Sequence, residues 1–451
     1  MDECISIEHK IQYFRVTGEP RIIKSRSGKA VMLTDGLCTC AVPRTCPACG
    51  GPMHVHNHQH VLIQDLEILG NVSVLRVSYC RTACACCGTK LPQDIPFRAK
   101  GHRLTTRLAA RVCRRLNQGV TLKATAVSLG VHPSIVKEID KARLLGMPCL
   151  DGPEHARNIG IDEFLLHKGH RYATVVVDLD RKRVIFLEEG KKKEQAAHFI
   201  HRMGPAWMGH VRAVSMDMNA QYDSAFRQFA PHVDIVYDKF HMVKLFNDSV
   251  LTAIRRRLQN QCAENRDRAG FKLLKNSRYI LLTSPGKLRE RERLAAENNR
   301  RLREGYLDRG LSLPPGERLM GTGRVRRLET LLAANEELSV AYLLLDQFKY
   351  AYGLDSMDAM KDGLGQWYRL DGQSKAPEIH RFARTLRLHE DGLVNRVLHK
   401  ISSGAVEGIN NMIKTLRRKA YGFRDTEYFF LRVMFESYKI RSGFLSPKIL
   451  Y

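Results

Sequence analysis

Asn158-Ile159-Gly160-Ile161-Asp162-Glu163-Phe164 is a short run of strand formers broken by acids, and its neighbours decide what it belongs to. Residues 172–178 form a second, valine-rich strand pattern and residues 183–187 a third. With only short turns between them, the three read as an antiparallel meander. A helical pattern over 194–203 follows, and then Val211-Arg212-Ala213-Val214-Ser215-Met216-Asp217, a strand that ends in another acid. A helix over 222–229 and a strand over 233–238 complete the series.

Strand-strand-strand-helix-strand-helix-strand is the order of the ribonuclease-H-like fold. In that fold, acids on the first and fourth strands lie side by side across the middle of the sheet. Beyond residue 240 the pattern turns helical and heavily charged as far as about residue 400. The portion 287–309 reads as a solvated helix with offsetting charge pairs, and 331–352 as an amphipathic helix that packs against it. The expected fold class is therefore multidomain α/β, with a ribonuclease-H-like core (first part 151–260) interrupted by a helical insertion (261–400). Residues 401–451 return to the core as its final helices.

Those final helices open with Ser402-Ser403-Gly404-Ala405-Val406-Glu407-Gly408-Ile409-Asn410-Asn411-Met412-Ile413-Lys414. One glutamate in a first turn is ordinarily a favourable charge near a helix N-terminus. Here Asn410, Asn411, Lys414, Arg417 and Arg418 recur at helical spacing after it, so one polar face would carry both the carboxylate and a phosphate-binding tract. If this helix returns to the sheet, Asp162, Asp217 and Glu407 meet. Three carboxylates are what a pair of Mg²⁺ or Mn²⁺ ions requires, since such hard ions take oxygen ligands. An aspartate at a strand end is by itself ordinary turn chemistry; the three together point to metal-dependent phosphoryl transfer.

Upstream of the core, Cys46-Pro47-Ala48-Cys49-Gly50 and Cys84-Ala85-Cys86-Cys87-Gly88 form two Cys-x2-Cys-Gly knuckles flanking strand-like runs at 61–63 and 72–79. Two such knuckles complete a tetrahedral Zn²⁺ site, expected from Cys46, Cys49, Cys84 and Cys87 in a zinc-ribbon domain over 38–98. Cys38, Cys40, Cys80 and Cys86 leave the ligand choice open. The alternating His54, His56, His58 and His60 read better as one solvent face than as ligands. Residues 1–37, with runs such as Ile5-Ser6-Ile7, are a β-rich lead-in.

Residues 99–150 carry the helix-turn-helix pattern. Leu104, Leu108, Val112 and Leu116 set an apolar face between arginines that include Arg107 and Arg111, and Gly130-Val131-His132-Pro133 marks the turn before a third helix. Ser134, Ile135 and Lys137 are the residues expected to face the DNA groove. Asp151-Gly152-Pro153 reads as a linker.

The 451 residues are enough for two or three cores. A net charge of +26 with pI near 9.7 points to a polyanionic partner, with double-stranded DNA first. No apolar run long enough to span a membrane is present and no secretory signal opens the chain. Eight of the twelve cysteines fall between Cys38 and Cys87. Such clustering fits metal ligation in a cytoplasmic protein better than disulfides.

The succession of zinc ribbon, helix-turn-helix, Gly-Ile-Asp-Glu-Phe, Ser-Met-Asp-Met, Asp238-Lys239-Phe240-His241 and Ser-Gly-Ala-Val-Glu-Gly-Ile-Asn-Asn resembles the ISL-three family of bacterial insertion-sequence transposases. The resemblance runs from about Cys46 to Ser437. It implies a DDE transposase whose triad is Asp162, Asp217 and Glu407. It also implies binding to terminal inverted repeats, Mg²⁺-dependent cleavage and strand transfer into target DNA. A homodimer or higher assembly follows from the need to hold two ends, and a cytoplasmic, nucleoid-associated location from bacterial DNA as substrate. Asn410, Asn411 and Lys414 match the family's last motif; Asp238 and His241 match a motif near the active site. The rival readings are a catalytically inactive DNA-binding regulator of the same descent and a related nuclease without strand transfer.

Overall fold

The computed structural model describes residues 11–25, 28, 30–147, 154–167, 169–420 and 422–442. The lead-in strand at 5–7 and the linker at 151–153 lie outside the described residues. The chain divides into two compact units, Met1–Pro153 with Asn411–Tyr451, and Glu154–Asn410.

In the first unit, β1 (Phe14–Val16), β2 (Arg21–Lys24) and β3 (Ala30–Cys38) join β4 (Met53–Ile68), β5 (Asn71–Cys84) and β6 (Lys90–Pro92) in one sheet. β4 and β5 are a long hairpin, and β3 pairs parallel with β5 from Val31↔Val72 to Leu37↔Ser78. The lead-in thus shares one sheet and one core with the segment after it, because its apolar Phe14 packs with Cys38, Ile63, Leu75, Val77 and Phe97. The four histidines do not share a face. A bulge between Val55 and Asn57 sets His54 opposite Ala83 but His58 and His60 opposite Cys80 and Ser78. Because β5 alternates without interruption, His54 faces away from the other two.

α1 (Thr106–Asn117), α2 (Leu122–Leu129) and α3 (Pro133–Leu145) follow, with buried Leu108, Ala109, Val112, Ala126, Val136 and Ile139 as their common core. Gly130 ends α2 with φ 61°, the left-handed turn that favours glycine. Gln64 of β4 fixes that turn by donating to the Leu129 and Gly130 carbonyls. Two helices from the end of the sequence complete the architecture: α16 (Gly404–Lys419), inside which the division between the units falls, and α17 (Thr426–Ser442). α17 packs on α3 through Leu144, Tyr428, Leu431 and Phe435. Beneath that contact, the fully buried Asp140 accepts from Tyr428 Oη at 2.7 Å and from Arg432 and Arg143.

The second unit is built on β7 (Asn158–His167), β8 (Arg171–Asp178), β9 (Arg183–Glu189), β10 (Ala213–Met216) and β11 (Asp234–Tyr237). Their order is β11-β10-β7-β8-β9, with β7, β8 and β9 antiparallel and β10 parallel to both β7 and β11. α4 (Lys193–Met208) and α5 (Ala220–Phe229) bury Phe199, Tyr222 and Phe226 with Ile159 and Ile161 of β7.

Then come α6 (Lys239–Phe246), a π-helical turn at Asn247–Leu251, α7 (Thr252–Glu264), α8 (Arg268–Leu274), α9 (Arg278–Leu281) and α10 (Pro285–Gly305). α11 (Arg324–Ala333), α12 (Glu336–Ala351), α13 (Met357–Gly372), α14 (Pro377–Leu388) and α15 (Glu390–His399) complete the block. These helices share one continuous hydrophobic core with the sheet rather than forming a core of their own. α12 supplies Leu338, Leu344 and Phe348, and Trp367 Nε1 donates to the Leu344 carbonyl. α15 covers the edge strand β11: Asn395 donates to the Ile235 carbonyl, and a Cβ on Gly392 would strike Tyr237. An edge so covered offers no free ladder to another chain.

Candidate active site

Strand alternation puts Ile159 and Ile161 in the core and turns Gly160 and Asp162 to the opposite face of β7. β10 runs parallel to β7 with Ser215 opposite Gly160, so Asp217, just past the end of β10, arrives beside Asp162. Glu163 follows on β7. Carboxylate oxygens of Asp162, Glu163 and Asp217 all lie within 4.8 Å of one another. Glu163 was not among the residues expected here. Its backbone amide also donates to Asp162 Oδ1 at 2.8 Å.

Crowding three acids in a half-buried site disfavours their ionisation. Burial pushes the Asp162 carboxyl up to about 6; Asp217 adds to this, against the Glu163 amide, His241 and Asn410. Burial raises Asp217 and Glu163 as well, and for Glu163 both aspartates add to it. His241, Lys191 and Lys244 draw Asp217 back down. Four polar atoms converge here without a partner among the described residues: Glu163 Oε2, Asp217 Oδ1, His241 Nδ1 and Asn410 Oδ1. An oxygen-rich donor set with unmet hydrogen-bonding capacity and depressed ionisation fits a hard divalent ion such as Mg²⁺ or Mn²⁺.

α16 lies against the sheet face that carries Asp162. A Cβ on Gly160 would come within 2.4 Å of Val406, so only glycine admits the helix this close. One turn on, Asn410, 8% exposed, donates from Nδ2 to Asp162 Oδ2 at 2.8 Å. Glu407 sits between these two contacts, exposed, and is not part of the carboxylate group. Asp238 caps α6 by accepting from the amides of Phe240 and His241, and its other oxygen accepts from the Ser403 amide at 3.2 Å. A residue singled out only by motif thus ties the start of α6 to the lead-in of α16.

The residues expected to touch DNA differ in their surroundings. Ser134 is exposed, with its hydroxyl 2.8 Å from His132 Nδ1, while Ile135 packs against the three-helix core. Lys137 bonds Asp425 at 3.1 Å, and Lys141 bonds Glu427 at 2.6 Å, so the lead-in and first turn of α17 hold the lysine edge of α3. Arg107 pairs with the buried Asp65, whereas Arg111 is exposed. Asn411, Lys414 and Arg418 are exposed and Arg417 is half-buried.

At the ribbon end, the sulfurs of Cys46, Cys49, Cys84 and Cys87 form one group. Cys46–Cys87, Cys49–Cys84 and Cys49–Cys87 separations of 3.6, 3.5 and 3.4 Å approach the roughly 3.8 Å edge of a tetrahedron with Zn–S near 2.3 Å. A hydrogen bond with the Thr89 hydroxyl brings the Cys87 thiol down to about 6. The Gly51 amide lowers Cys49, but Cys87 and Cys84 outweigh it and push that thiol up to about 12. Thiolates that repel one another at this spacing suit a dication at their centre.

Glu163 left one signal in the sequence, its adjacency to Asp162. Alternation argues against using two neighbouring strand residues in one site, yet the carboxylates of Asp162, Glu163 and Asp217 lie within 4.8 Å of one another.

Comparisons with known proteins place the chain in a family. A family model described as Transposase, of the ISL3 group, matches residues 159–433. The transposase for insertion sequence element IS1001 of Bordetella parapertussis is 32% identical over 391 residues, covering 86% of this chain and 87% of that protein. The transposase for insertion sequence element IS1557 of Mycobacterium tuberculosis is 24% identical over 297 residues, 62% of this chain and 59% of that protein. Among the described residues no helix is long and apolar enough to cross a membrane. The chain belongs to the ISL3 family of insertion-sequence transposases.

Proposed function

We propose that this transposase cleaves DNA at the ends of its element and joins the freed 3′ ends to target DNA, using Asp162, Asp217 and Glu407 as its acidic triad. The observation that carries the reading is the convergence of Asp162 and Asp217 under a helix fastened to Asp162 by Asn410. The β9-β8-β7-β10-β11 order supports a ribonuclease-H-like core. Two divalent ions, when bound, stabilise the attacking and leaving oxygens of an in-line displacement at phosphorus.

The chain's own residues prepare that site. Asp162 and Asp217 would hold the ions through their carboxylates, and Glu163 lies close enough to add a further oxygen. Asn410 fixes the Asp162 carboxylate, and His241 offsets part of the shared negative charge. In cleavage, water attacks phosphorus and the 3′ oxygen leaves. In joining, that 3′ hydroxyl is the nucleophile, so no covalent enzyme intermediate is needed.

The ribbon and α1–α3 are proposed to bind the terminal inverted repeats, with Zn²⁺ held by Cys46, Cys49, Cys84 and Cys87. The proposed setting is the bacterial cytoplasm, with at least two copies holding two ends. An end-labelled duplex and a target plasmid test the reaction. Wild type is expected to give nicked and joined products with Mg²⁺, and Asp217→Asn to bind the end but give neither. Full nicking by Asp217→Asn refutes the triad. Nicking without joining by wild type assigns a nuclease instead.

A further inference from the structure

The helical block carries a surface that the catalytic site does not use. α10 buries Leu288, Ala295 and Leu302, one every seventh residue, and so shows a fixed face to solvent. At 100° per residue, Arg289, Arg293, Arg300 and Arg303 fall within about 80° of one another along one exposed flank of the helix. From first to last they extend about 21 Å along the helix, a length of roughly six base-pair rises.

The chain beyond α10 is fastened back along it. Asn299 donates to the Met320 carbonyl at 2.8 Å and accepts from the Met320 amide at 2.7 Å. Glu292 accepts from the amides of Gly323, Arg324 and Val325 and so caps α11. These ties bring the first turn of α11, which carries Arg324 and Arg326, alongside α10.

What marks this surface is how its acids are used. Glu290 pairs with Arg293, Glu304 with Arg300 and Glu317 with Arg301, Glu292 is spent on backbone amides, and Glu297 stands exposed near Arg293. Arg289, Arg303, Arg318, Arg324 and Arg326 stay exposed, with no acidic partner among the described residues. A solvated helix of balanced pairs, the reading its alternating charges invite, would leave no such surplus. A set of guanidinium groups on two ordered elements suits the phosphates of a nucleic acid, which accept from them without regard to base sequence.

We propose that the α10–α11 arm is a second DNA-binding surface that grips duplex DNA through its phosphates, independently of the head and of the catalytic acids. It rests on the proposed function only in taking DNA as the polyanion. Removing one arginine–phosphate pairing lowers the slope of log affinity against log salt by about 0.9.

The test measures binding of the full-length, zinc-loaded protein to a random-sequence duplex over a salt series without Mg²⁺. The combined change Arg289→Gln, Arg303→Gln, Arg324→Gln and Arg326→Gln is expected to flatten the slope by about 2–4 and weaken binding at least tenfold at low salt. The same four positions changed to lysine keep the charge and are expected to keep the slope. Thermal melts show that the variants fold. An unchanged slope in the glutamine variant overturns the proposal. So does a changed oligomeric state with an unchanged slope, which would make the arm a contact between copies. Because no cleavage is measured, loss of the catalytic reading would leave this result standing.

Discussion

Replacing Asp162 by asparagine should stabilise the second unit while removing its response to Mg²⁺. The Asp162 carboxyl titrates near 3.8 in an unfolded chain and at about 6 in the folded one, with burial the main cause. An acid raised on folding favours the folded state below its unfolded pKa, and that contribution is lost as pH rises through the folded value. Ionised at neutral pH, Asp162 therefore costs about 3 kcal/mol, reduced to about 2 kcal/mol by partial solvent screening.

The amide variant keeps the geometry. Its side-chain oxygen still accepts from the Glu163 amide, and Asn410 can turn its unpartnered Oδ1 toward the new NH₂ group. For a unit of this size, about 2 kcal/mol raises the melting temperature by roughly 4–8 °C. Thermal melts of zinc-loaded protein without Mg²⁺, at about pH 4 and about pH 7.5, should show a small difference between variant and wild type in acid and a large one at neutral pH. Mg²⁺ at about a hundred times its dissociation constant should then return about 2.7 kcal/mol to wild type and little to the variant. The reasoning is refuted if the variant is no more stable than wild type at neutral pH, or if the gap is the same at both pH values.

Cys87→Ser should remove most of the bound zinc, measured by metal analysis, and speed amide hydrogen exchange along β4 and β5, whose far ends the four sulfurs join. Loss of metal without faster exchange would make the site dispensable for the fold. Asp425→Asn with Glu427→Gln frees Lys137 and Lys141 and should raise duplex affinity several-fold at low salt; unchanged affinity would show that this edge of α3 does not meet phosphate. Arg432→Ala removes one of the two arginines that hold the buried Asp140 and should cost up to about 3–5 kcal/mol in a denaturant titration. A cost below about 1 kcal/mol would mean that Arg143 and Tyr428 suffice to hold that carboxylate.

The parts of the second unit that could be read in advance are those whose signal is local. Runs of strand formers with short turns marked the β7–β9 meander, and the strand over 211–217 marked β10 with Asp217 just past its end, whereas Asp162 stands in the middle of β7 rather than at a strand end. The paired knuckles marked the thiol group for the same reason. What escaped depends on contacts distant in sequence. The lysine edge of α3 is occupied by Asp425 and Glu427, far along the chain, and nothing near Lys137 announces them. The helical block read as a separate body because its charges are conspicuous. Its apolar residues, Phe348 and Trp367 among them, instead merge with the core under the sheet. The histidine stripe was misplaced because a single inserted residue at the Val55–Asn57 bulge reverses the face of everything beyond it.

The proposed role of Glu407 turns on how its helix is held. A glutamate arriving after a long helical detour needs its backbone registered to the sheet, or its carboxylate would sample many positions relative to Asp162. Three contacts supply that register. Asp238 takes the Ser403 amide just before the helix, Val406 fills the space left by Gly160, and Asn410 bonds Asp162 directly. Residues 403 and 410 are thereby tied on either side of 407, and about two turns of helix leave little backbone freedom between them. What stays variable is rotation of the Glu407 side chain, a motion of picoseconds to nanoseconds for an exposed residue. The ties themselves come from an uncharged amide, a valine and a backbone amide held by Asp238, so the glutamate can be replaced without loosening its helix. Positioning and chemistry are therefore carried by different residues. Glu407→Gln should leave the helix seated, while Asn410→Leu should unseat it and abolish activity with all three acids intact.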